Sequence, residues 1–220
     1  MIVESLKLSL LIVSIATIVI AVVGTAFAFL LARYRFKGKD LLDAVLTLPM
    51  VLPPTVTGYY LIVLLGRRGL LGDPLHSLTG WSVTFTWIAA VIAATVVAIP
   101  LMIKSARAAL ESVDPEYEIA SRVMGKGELE TFFRVTLPLA GRGIVAGIIL
   151  SFARAFGEFG ATMMLAGNIP GKTQTMPLAI YEAVASGEDE QAKWLALILT
   201  GISVTVVYLT NRLSRPAKRY

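Results

Sequence analysis

A long run without charge dominates the start of the chain. No Asp, Glu, Lys or Arg occurs from residue 8 to 32, and the run ends against Arg33 and Arg35. About 20 apolar residues are enough for a helix to cross the roughly 30 Å hydrocarbon core of a bilayer. The run therefore predicts a membrane span with a basic border. It is too long for the core of a secretory signal peptide, so we expect it to stay in the mature protein.

The composition agrees with a chain embedded in lipid. Hydrophobic residues make up 56% of the sequence and the mean hydropathy is +0.74, whereas soluble domains are about 45–50% apolar. The net charge of +5 does not indicate nucleic-acid binding, because the basic residues gather at the ends of apolar runs. The absence of cysteine excludes disulfides and thiolate metal sites, and a single histidine, His76, argues against a histidine metal site.

Four further apolar stretches follow the first. Together they predict an all-α membrane domain over residues 1–220, with five spans at about residues 8–32, 44–66, 81–106, 140–167 and 193–212. Pro49, Pro53 and Pro54 in the second stretch predict a kink or local unwinding. The apolar segment 173–185 is too short to span and is expected to form a short external or re-entrant helix.

The basic residues predict the orientation of the spans. The connections on one side carry 14 Lys and Arg, including the tail residues Arg215, Lys218 and Arg219, and those on the other side carry 5. Cytoplasmic loops carry the excess of Lys and Arg. We therefore predict a multi-pass protein of the cytoplasmic (inner) membrane, with the N-terminus outside and the C-terminus in the cytoplasm. No regulatory module is expected after Tyr220.

The loop at residues 112–138, between the third and fourth spans, has strong local helix signals. Asp114 is a suitable N-cap, and Pro115 occupies the favoured first helical position. Glu116 and Glu118 fall in the first turn, where the helix dipole favours carboxylates. The sequence therefore predicts a short helix on the cytoplasmic surface.

A second helix is predicted in the same loop. Gly125 is expected to end the first helix, and residues 128–135 carry apolar side chains at helical spacing. Leu137 and Pro138 are expected to turn the chain back into the membrane. Two short helices with an exposed apolar face form a docking surface for a partner protein, or else a connector packed on its own helix ends. Periodicity alone leaves both interpretations open.

The loop resembles the "EAA" loop of ABC-transporter permeases. Gly125, Val135, Leu137 and Pro138 match that pattern, and Ala120 and Ser121 take its two small positions. Ile119 stands where the family usually has Glu, with Glu118 one residue earlier. The resemblance implies a coupling helix that sits in a cleft of an ATP-binding subunit. The coupling residues it implies are Glu116, Glu118, Ile119, Ala120, Ser121, Gly125, Val135, Leu137 and Pro138.

The resemblance extends over nearly the whole chain. Segments 48–54, 64–69, 152–161 and 167–181 are similar to the molybdate permease subunits of type I ABC importers, and sulfate permease subunits share a similar 152–161 segment. This implies a homodimer that forms a path for molybdate, with sulfate and tungstate as alternatives. It also implies two ATP-binding subunits that hold ATP-Mg, and an extracytoplasmic molybdate- or tungstate-binding protein. The chain itself is then not an enzyme and binds no cofactor or metal.

Arg154 and Glu158 stand four residues apart in the fourth span. A charge near the middle of a bilayer costs at least about 2.5–3.5 kcal/mol, so such residues face a cavity or a partner. They are interpreted either as polar lining of an anion path or as a structural ion pair. Thr55 and Thr57, in the kinked second span, are further candidates for the path or for helix packing alone.

Other function classes find weaker support. Segment 166–173 loosely matches a phosphate-binding loop, but it follows an apolar span rather than a strand, and Pro170 removes one backbone donor. It is better interpreted as an external loop. A stand-alone channel or secondary transporter would carry titratable residues in several spans, together with an internal repeat. A purely structural membrane-assembly subunit is the third alternative.

Overall fold

The computed structural model describes residues 2–213, and the basic tail residues Arg215, Lys218 and Arg219 lie outside this part. The described residues form helices and connections only. The helices are α1 (Ile2–Arg33), α2 (Lys39–Val51), α3 (Pro54–Leu65), α4 (Gly72–Thr79), α5 (Trp87–Glu111), α6 (Pro115–Val123), α7 (Glu128–Thr131), α8 (Leu137–Phe156), α9 (Gly160–Ala166), α10 (Met176–Ala185) and α11 (Asp189–Leu213), with a π-helical turn at Phe132–Thr136 between α7 and α8.

The central helix is α5, which packs against α1, α2, α8 and α9. Its inward faces are rich in buried alanine, which allows neighbouring helices to approach closely. A Cβ added at Gly24 of α1 would lie 2.6 Å from Met102 Cγ, and one added at Gly147 of α8 would lie 2.9 Å from Ser105 Cβ. The core is therefore built on small residues where α1 and α8 cross α5.

Three side-chain contacts fix the direction of the helices. Arg33, the last residue of α1, donates to the carbonyl of Leu110 near the end of α5 at 2.9 Å. Asp43 near the start of α2 pairs with Lys104 and Arg107 in the last part of α5. We call this end of the bundle the α6 end. Because α1 and α5 both finish there, the chain between them must return to the opposite end, and it does so through α2 and α3.

The predicted second span, residues 44–66, is two helices bent by 119° at a break around Leu52 and Pro53. The kink that the prolines predict is confirmed, but the segment starts earlier, at Lys39. Leu52 and Pro53 are extended, with ψ of 146° and 137°, because a residue before proline avoids the helical region. Pro54 then begins α3 at the position where its missing N–H costs least.

Three other predicted boundaries also differ. The third span starts at Trp87 rather than residue 81 and continues to Glu111, and α4 precedes it without having been predicted. The fourth span, predicted at 140–167, breaks after Phe156 and resumes as α9. The predicted turn at Leu137 and Pro138 is wrong. Helical structure continues without a turn from Glu128 to Phe156, since proline is tolerated in the first turn of α8.

Four helices of the described chain are long and apolar enough to cross a membrane, and the count rises to five if the bent α2–α3 pair is one broken span. The predicted all-α span architecture is thus confirmed. The short helix expected within 173–185 is α10, whose backbone N–H at Met176 donates to Ser9 Oγ of α1 at 2.8 Å. This contact places α10 at the end of the bundle opposite the α6 end.

Candidate functional site

Local sequence signals position α6 as expected. Asp114 Oδ1 accepts the N–H of Glu116 at 3.0 Å, which satisfies one of the free donors at the helix start. Pro115 occupies the first turn and Gly125 follows the helix with φ of 81°, a conformation that favours glycine. The predicted cap, start and end of this helix are therefore confirmed.

An exposed apolar surface covers α6, α7 and the turn between them. Val123 is 82% exposed at the end of α6, and Leu129 is 74% exposed in the first turn of the helical stretch that continues to Phe156. We call this surface the docking patch, and it consists of Tyr117, Ile119, Val123, Met124, Leu129 and Phe133. Contiguous exposed apolar surface outside lipid marks a protein interaction site. The patch is what a partner-binding loop requires.

The carboxylate of Glu118 does not belong to the docking patch. Glu118 is 6% exposed, and its Oε1 receives Arg33 Nη2 at 2.6 Å and Thr136 Oγ1 at 2.7 Å. Arg122 lies 3.6 Å from Oε2. The family resemblance suggests that Glu118 partly compensates for the Glu missing at position 119. The structure instead places its carboxylate inside this chain, and it leaves Ile119 exposed in its own right.

The other positions of the predicted coupling set divide between surface and interior. Ser121 is buried and hydrogen-bonds Thr131 at 2.9 Å, which holds α6 against α7. Glu116, Ala120, Gly125 and Pro138 are exposed, whereas Val135 and Leu137 are half-buried in the π-helical turn and the start of α8. The loop is thus a folded unit with an internal polar contact and an outer apolar face.

Tyr34 adds a second contact between the end of α1 and this loop. Its hydroxyl donates to Glu128 Oε2 at 3.1 Å, and this hydrogen bond, together with the charge of Glu128, raises the pKa of the Tyr34 phenol. The phenol therefore remains a donor at neutral pH. A cavity of about 260 Å³ lies beside it, lined by Phe29, Phe132 and the Arg33–Glu118 pair among others.

The two broken spans meet at the other candidate site. Helix α3, which follows the Pro53 break, packs on α9, which follows the break after Phe156. A Cβ added at Gly58 would lie 2.7 Å from Met164 Cβ, and one added at Gly160 would lie 3.0 Å from Pro54 Cβ. Glycine at both positions lets the two half-helices approach closely beside their breaks.

Arg154 and Glu158 form an ion pair at this junction, as the four-residue spacing predicts. Arg154 Nη1 lies 2.8 Å from Glu158 Oε2, while Glu158 Oε1 accepts the N–H of Ala161 at 2.8 Å. Glu158 lies in the break rather than on the same helix as Arg154, and it is 3% exposed. Its carboxylate therefore caps α9. The guanidinium of Arg154 is about one-third exposed and has further donors.

The two threonines of the broken second span occupy different environments. Thr55 is exposed beside Gly160, whereas Thr57 is buried and its Oγ1 has no hydrogen-bond partner among the described residues. Thr57 borders a cavity of about 420 Å³ on the inside of the bend. The other residues that line it are apolar except for Tyr60; they include Leu48, Pro49, Leu52 and Val96. A lone hydroxyl in an apolar cleft is available to a partner or ligand.

The segment 166–173 forms a compact loop after α9 and not a strand–loop–helix motif. Thr173 is fully buried and donates to the carbonyl of Gly167 at 3.1 Å. Glu182 of α10 accepts from Asn168 Nδ2 at 2.8 Å and also from Gln174. The loop is therefore held by its own side chains and by Glu182 at the end of the bundle away from α6, and it lacks the architecture of a phosphate site.

Sequence reasoning missed several residues that organise these sites. From the sequence, Arg33 is only one of the basic residues at a span end, yet it contacts both α5 and α6. Nothing local indicates the contacts of Thr136 and Asp43, because their partners are distant in sequence. Gly58 and Gly160 carry a weak signal, since small residues within apolar helices indicate close helix contacts.

Comparisons with known proteins agree with this architecture. The family model of the binding-protein-dependent transport system inner membrane component matches residues 24–219. The chain is 43% identical over 213 residues to the molybdenum transport system permease protein ModB of Escherichia coli, covering 96% of this chain and 93% of that protein. It is 35% identical to the sulfate transport system permease protein CysT of Salmonella typhimurium, covering 96% and 76%.

A solved structure supports the fold. A bacterial alginate ABC transporter in complex with an alginate pentasaccharide-bound periplasmic protein contains a chain that matches with a TM-score of 0.76 at 15% identity, covering 97% of this chain and 78% of that one. The type I importer permease fold that the loop and the spans predict is confirmed. The chain belongs to the family of binding-protein-dependent transport system inner membrane components, and it is a multi-pass permease of the inner membrane.

Proposed function

We propose that this chain is the permease subunit of an ATP-driven importer and forms the membrane path for molybdate. Relatives named for molybdenum transport support this substrate. The more distant sulfate relative makes sulfate the second candidate, and tungstate is the third. All three anions are tetrahedral dianions. Two copies of the chain would line the path, and an extracytoplasmic binding protein would deliver the anion to the end that carries the 166–173 loop.

The observation that carries the proposal is the docking patch on a folded loop at the α6 end. Two ATP-binding subunits, which hold ATP-Mg, would receive this surface, one on each copy of the chain. Buried apolar side chains near the centre of such interfaces supply most of the binding energy. The chain itself then binds no cofactor, and its role is mechanical. Movement of the ATP-binding subunits is passed to α6 and from there to the spans.

The break in the second span supports a path beside it. Proline lacks an N–H, so the carbonyls of Val45, Pro49 and Met50 lose their usual helical donors at residues 49, 53 and 54. An unsatisfied backbone group in hydrocarbon costs several kcal/mol, so a non-helical segment at membrane depth lines water or contacts protein. We infer that Thr55, Thr57 and Arg154 lie along the aqueous path, with Glu158 holding the adjacent break.

Replacing Leu129 with aspartate tests the docking patch. Because Leu129 is 74% exposed, the permease should fold normally, while a charge in an apolar interface should weaken binding of the ATP-binding subunit by about 30-fold or more. The measurement is co-purification of the two proteins followed by ATP-dependent uptake of molybdate into proteoliposomes. Leu78→Asp is the matched control, since Leu78 is 86% exposed on α4, outside the α6 end.

The results decide between importer and stand-alone transporter. The importer requires that L129D loses the ATP-binding subunit and that L78D keeps it. Anion transport by the purified chain alone, in liposomes without nucleotide, would refute the proposal. Competition of labelled molybdate uptake by unlabelled sulfate and tungstate then ranks the three anions. Stronger competition by sulfate than by unlabelled molybdate would reassign the substrate.

A further inference from the structure

A buried polar network joins α6 to three other parts of the chain. Glu118 Oε1 receives Arg33 Nη2 from the end of α1 and Thr136 Oγ1 from the π-helical turn before α8. The same Arg33 nitrogen donates to the carbonyl of Leu110 in α5. One carboxylate and one guanidinium therefore connect the loop helix to α1, α5 and α8.

The burial of this network makes it mechanically different from the other ion pairs of the loop. The Glu118 side chain is 8% exposed, and the Arg33 side chain is 20% exposed. The Lys126–Glu130 pair is equally short, at 2.6 Å, but both side chains are more exposed, and it joins neighbours four residues apart. A solvated local pair adds little stiffness. Removing one partner of a buried pair leaves the other charge without compensation, so the buried pair resists separation.

We propose that Arg33 and Glu118 are positioning residues which make α6 move together with the end of α1, so that a displacement of α6 is passed to the first span. This rests on the proposed function, because the displacement comes from an ATP-binding subunit. The docking patch contacts the partner with its apolar side chains, while Glu118 faces inward and transmits the movement. The Tyr34–Glu128 hydrogen bond lies alongside as a weaker, exposed link.

The first test compares two neutral variants with a matched control. Glu118→Gln and the double variant R33Q/E118Q remove the charge pair, and the double variant leaves no unpaired charge at the end of α1. Arg122, which also lies 3.6 Å from Glu118, is more than half exposed and remains solvated in both variants. Glu130→Gln removes an equally short pair that does not reach α1. Each is assembled with the ATP-binding subunit, and anion taken up per ATP hydrolysed is measured, together with basal ATPase activity and the yield of complex.

Positioning predicts a specific split between these measurements. E118Q and R33Q/E118Q should lower uptake per ATP by about fivefold or more, the lower end of ordinary coupling between sites, while basal ATPase activity stays within about twofold of the wild type. E130Q should keep the wild-type ratio. A wild-type ratio in R33Q/E118Q would overturn the inference. So would loss of the assembled complex in both E118Q variants, because that would assign the pair to folding alone.

A covalent replacement tests the same idea in the opposite direction. The chain contains no cysteine, so R33C/E118C introduces two unique thiols, which a short bismaleimide can bridge in a complex whose other subunits lack cysteine. If α6 and the end of α1 move together, bridging should restore the uptake per ATP that the unbridged variant has lost. If bridging leaves uptake lost, the two elements move relative to each other and the inference fails.

The controls separate this inference from the proposed function. If the wild-type chain neither binds an ATP-binding subunit nor takes up anion with ATP, the proposed function is wrong. If the wild-type complex is active and coupled, but the Arg33 and Glu118 variants are coupled equally well, only the positioning role is wrong.

Discussion

The contact between α3 and α9 yields a prediction whose size follows from the structure. A Cβ added at Gly58 would lie 2.7 Å from Met164 Cβ and 2.9 Å from Ala161 Cα, whereas carbon atoms prefer a separation of about 3.5–4.0 Å. Ala161 Cα is backbone, so the two half-helices must move apart. Overpacking of this kind costs about 1–3 kcal/mol.

The helix preference of alanine offsets part of that cost. Alanine in a helix interior is favoured over glycine by about 0.5–1 kcal/mol, so Gly58→Ala should lower the free energy of unfolding by about 1–2 kcal/mol. For a chain of this size each kcal/mol corresponds to about 2–4 °C, so the Tm should fall by about 2–8 °C. Thermal unfolding of the purified protein in detergent, at a fixed heating rate, measures this change.

Gly141→Ala provides the matched control within α8. A Cβ at Gly141 meets nothing within 4 Å, so only the helix preference acts, and the Tm should rise by about 1–4 °C. Opposite signs for the two substitutions would support the close contact between the broken spans. A Gly58→Ala protein that melts at or above the temperature of Gly141→Ala would refute the packing of α3 on α9.

Two further substitutions address the path and the contact of α10 with α1. Arg154→Ala keeps the capping contact of Glu158 to Ala161 but leaves that buried carboxylate without its cation, so uptake is measured per assembled complex. If Arg154 lines the path, uptake per complex should fall by about tenfold or more, as expected for loss of one charged contact of about 1.5–3 kcal/mol; near-normal uptake would remove Arg154 from the path. Ser9→Ala leaves the buried N–H of Met176 without its acceptor and should lower the free energy of unfolding by about 1–3 kcal/mol. An unchanged melting temperature would show that α10 does not depend on that contact.

The sequence predicted best those features that depend on near neighbours. The cap at Asp114, the first turn at Pro115 and the end at Gly125 require only adjacent residues, and all three are present. The long apolar runs likewise predict helices able to span a membrane. Each of these signals acts over less than one helix, so tertiary packing does not need to be known.

Features that depend on distant partners could not be predicted. Arg33 and Glu118 are 85 residues apart, and nothing local indicates that the carboxylate turns inward. Leu137 and Pro138 suggest a turn, but a proline in the first turn of a helix also allows helical structure to continue. Here the π-helical turn at Phe132–Thr136 leads directly into α8. Packing of α8 on α1 and α5 decides between a turn and a continuous helix.

The break at Pro53 also bears on the homodimer that we propose. Inside the chain, α9 covers one side of α3 through Gly58 and Gly160, but the inside of the bend remains an open apolar cleft that contains the unpaired Thr57 hydroxyl. The carbonyls freed by the prolines would be costly against lipid, so that side requires water or another protein surface. A second copy related by two-fold symmetry can supply both, because facing bends would enclose a shared aqueous space. The open cleft, together with the carbonyls that the prolines deprive of their helical donors, supports the homodimer that we propose.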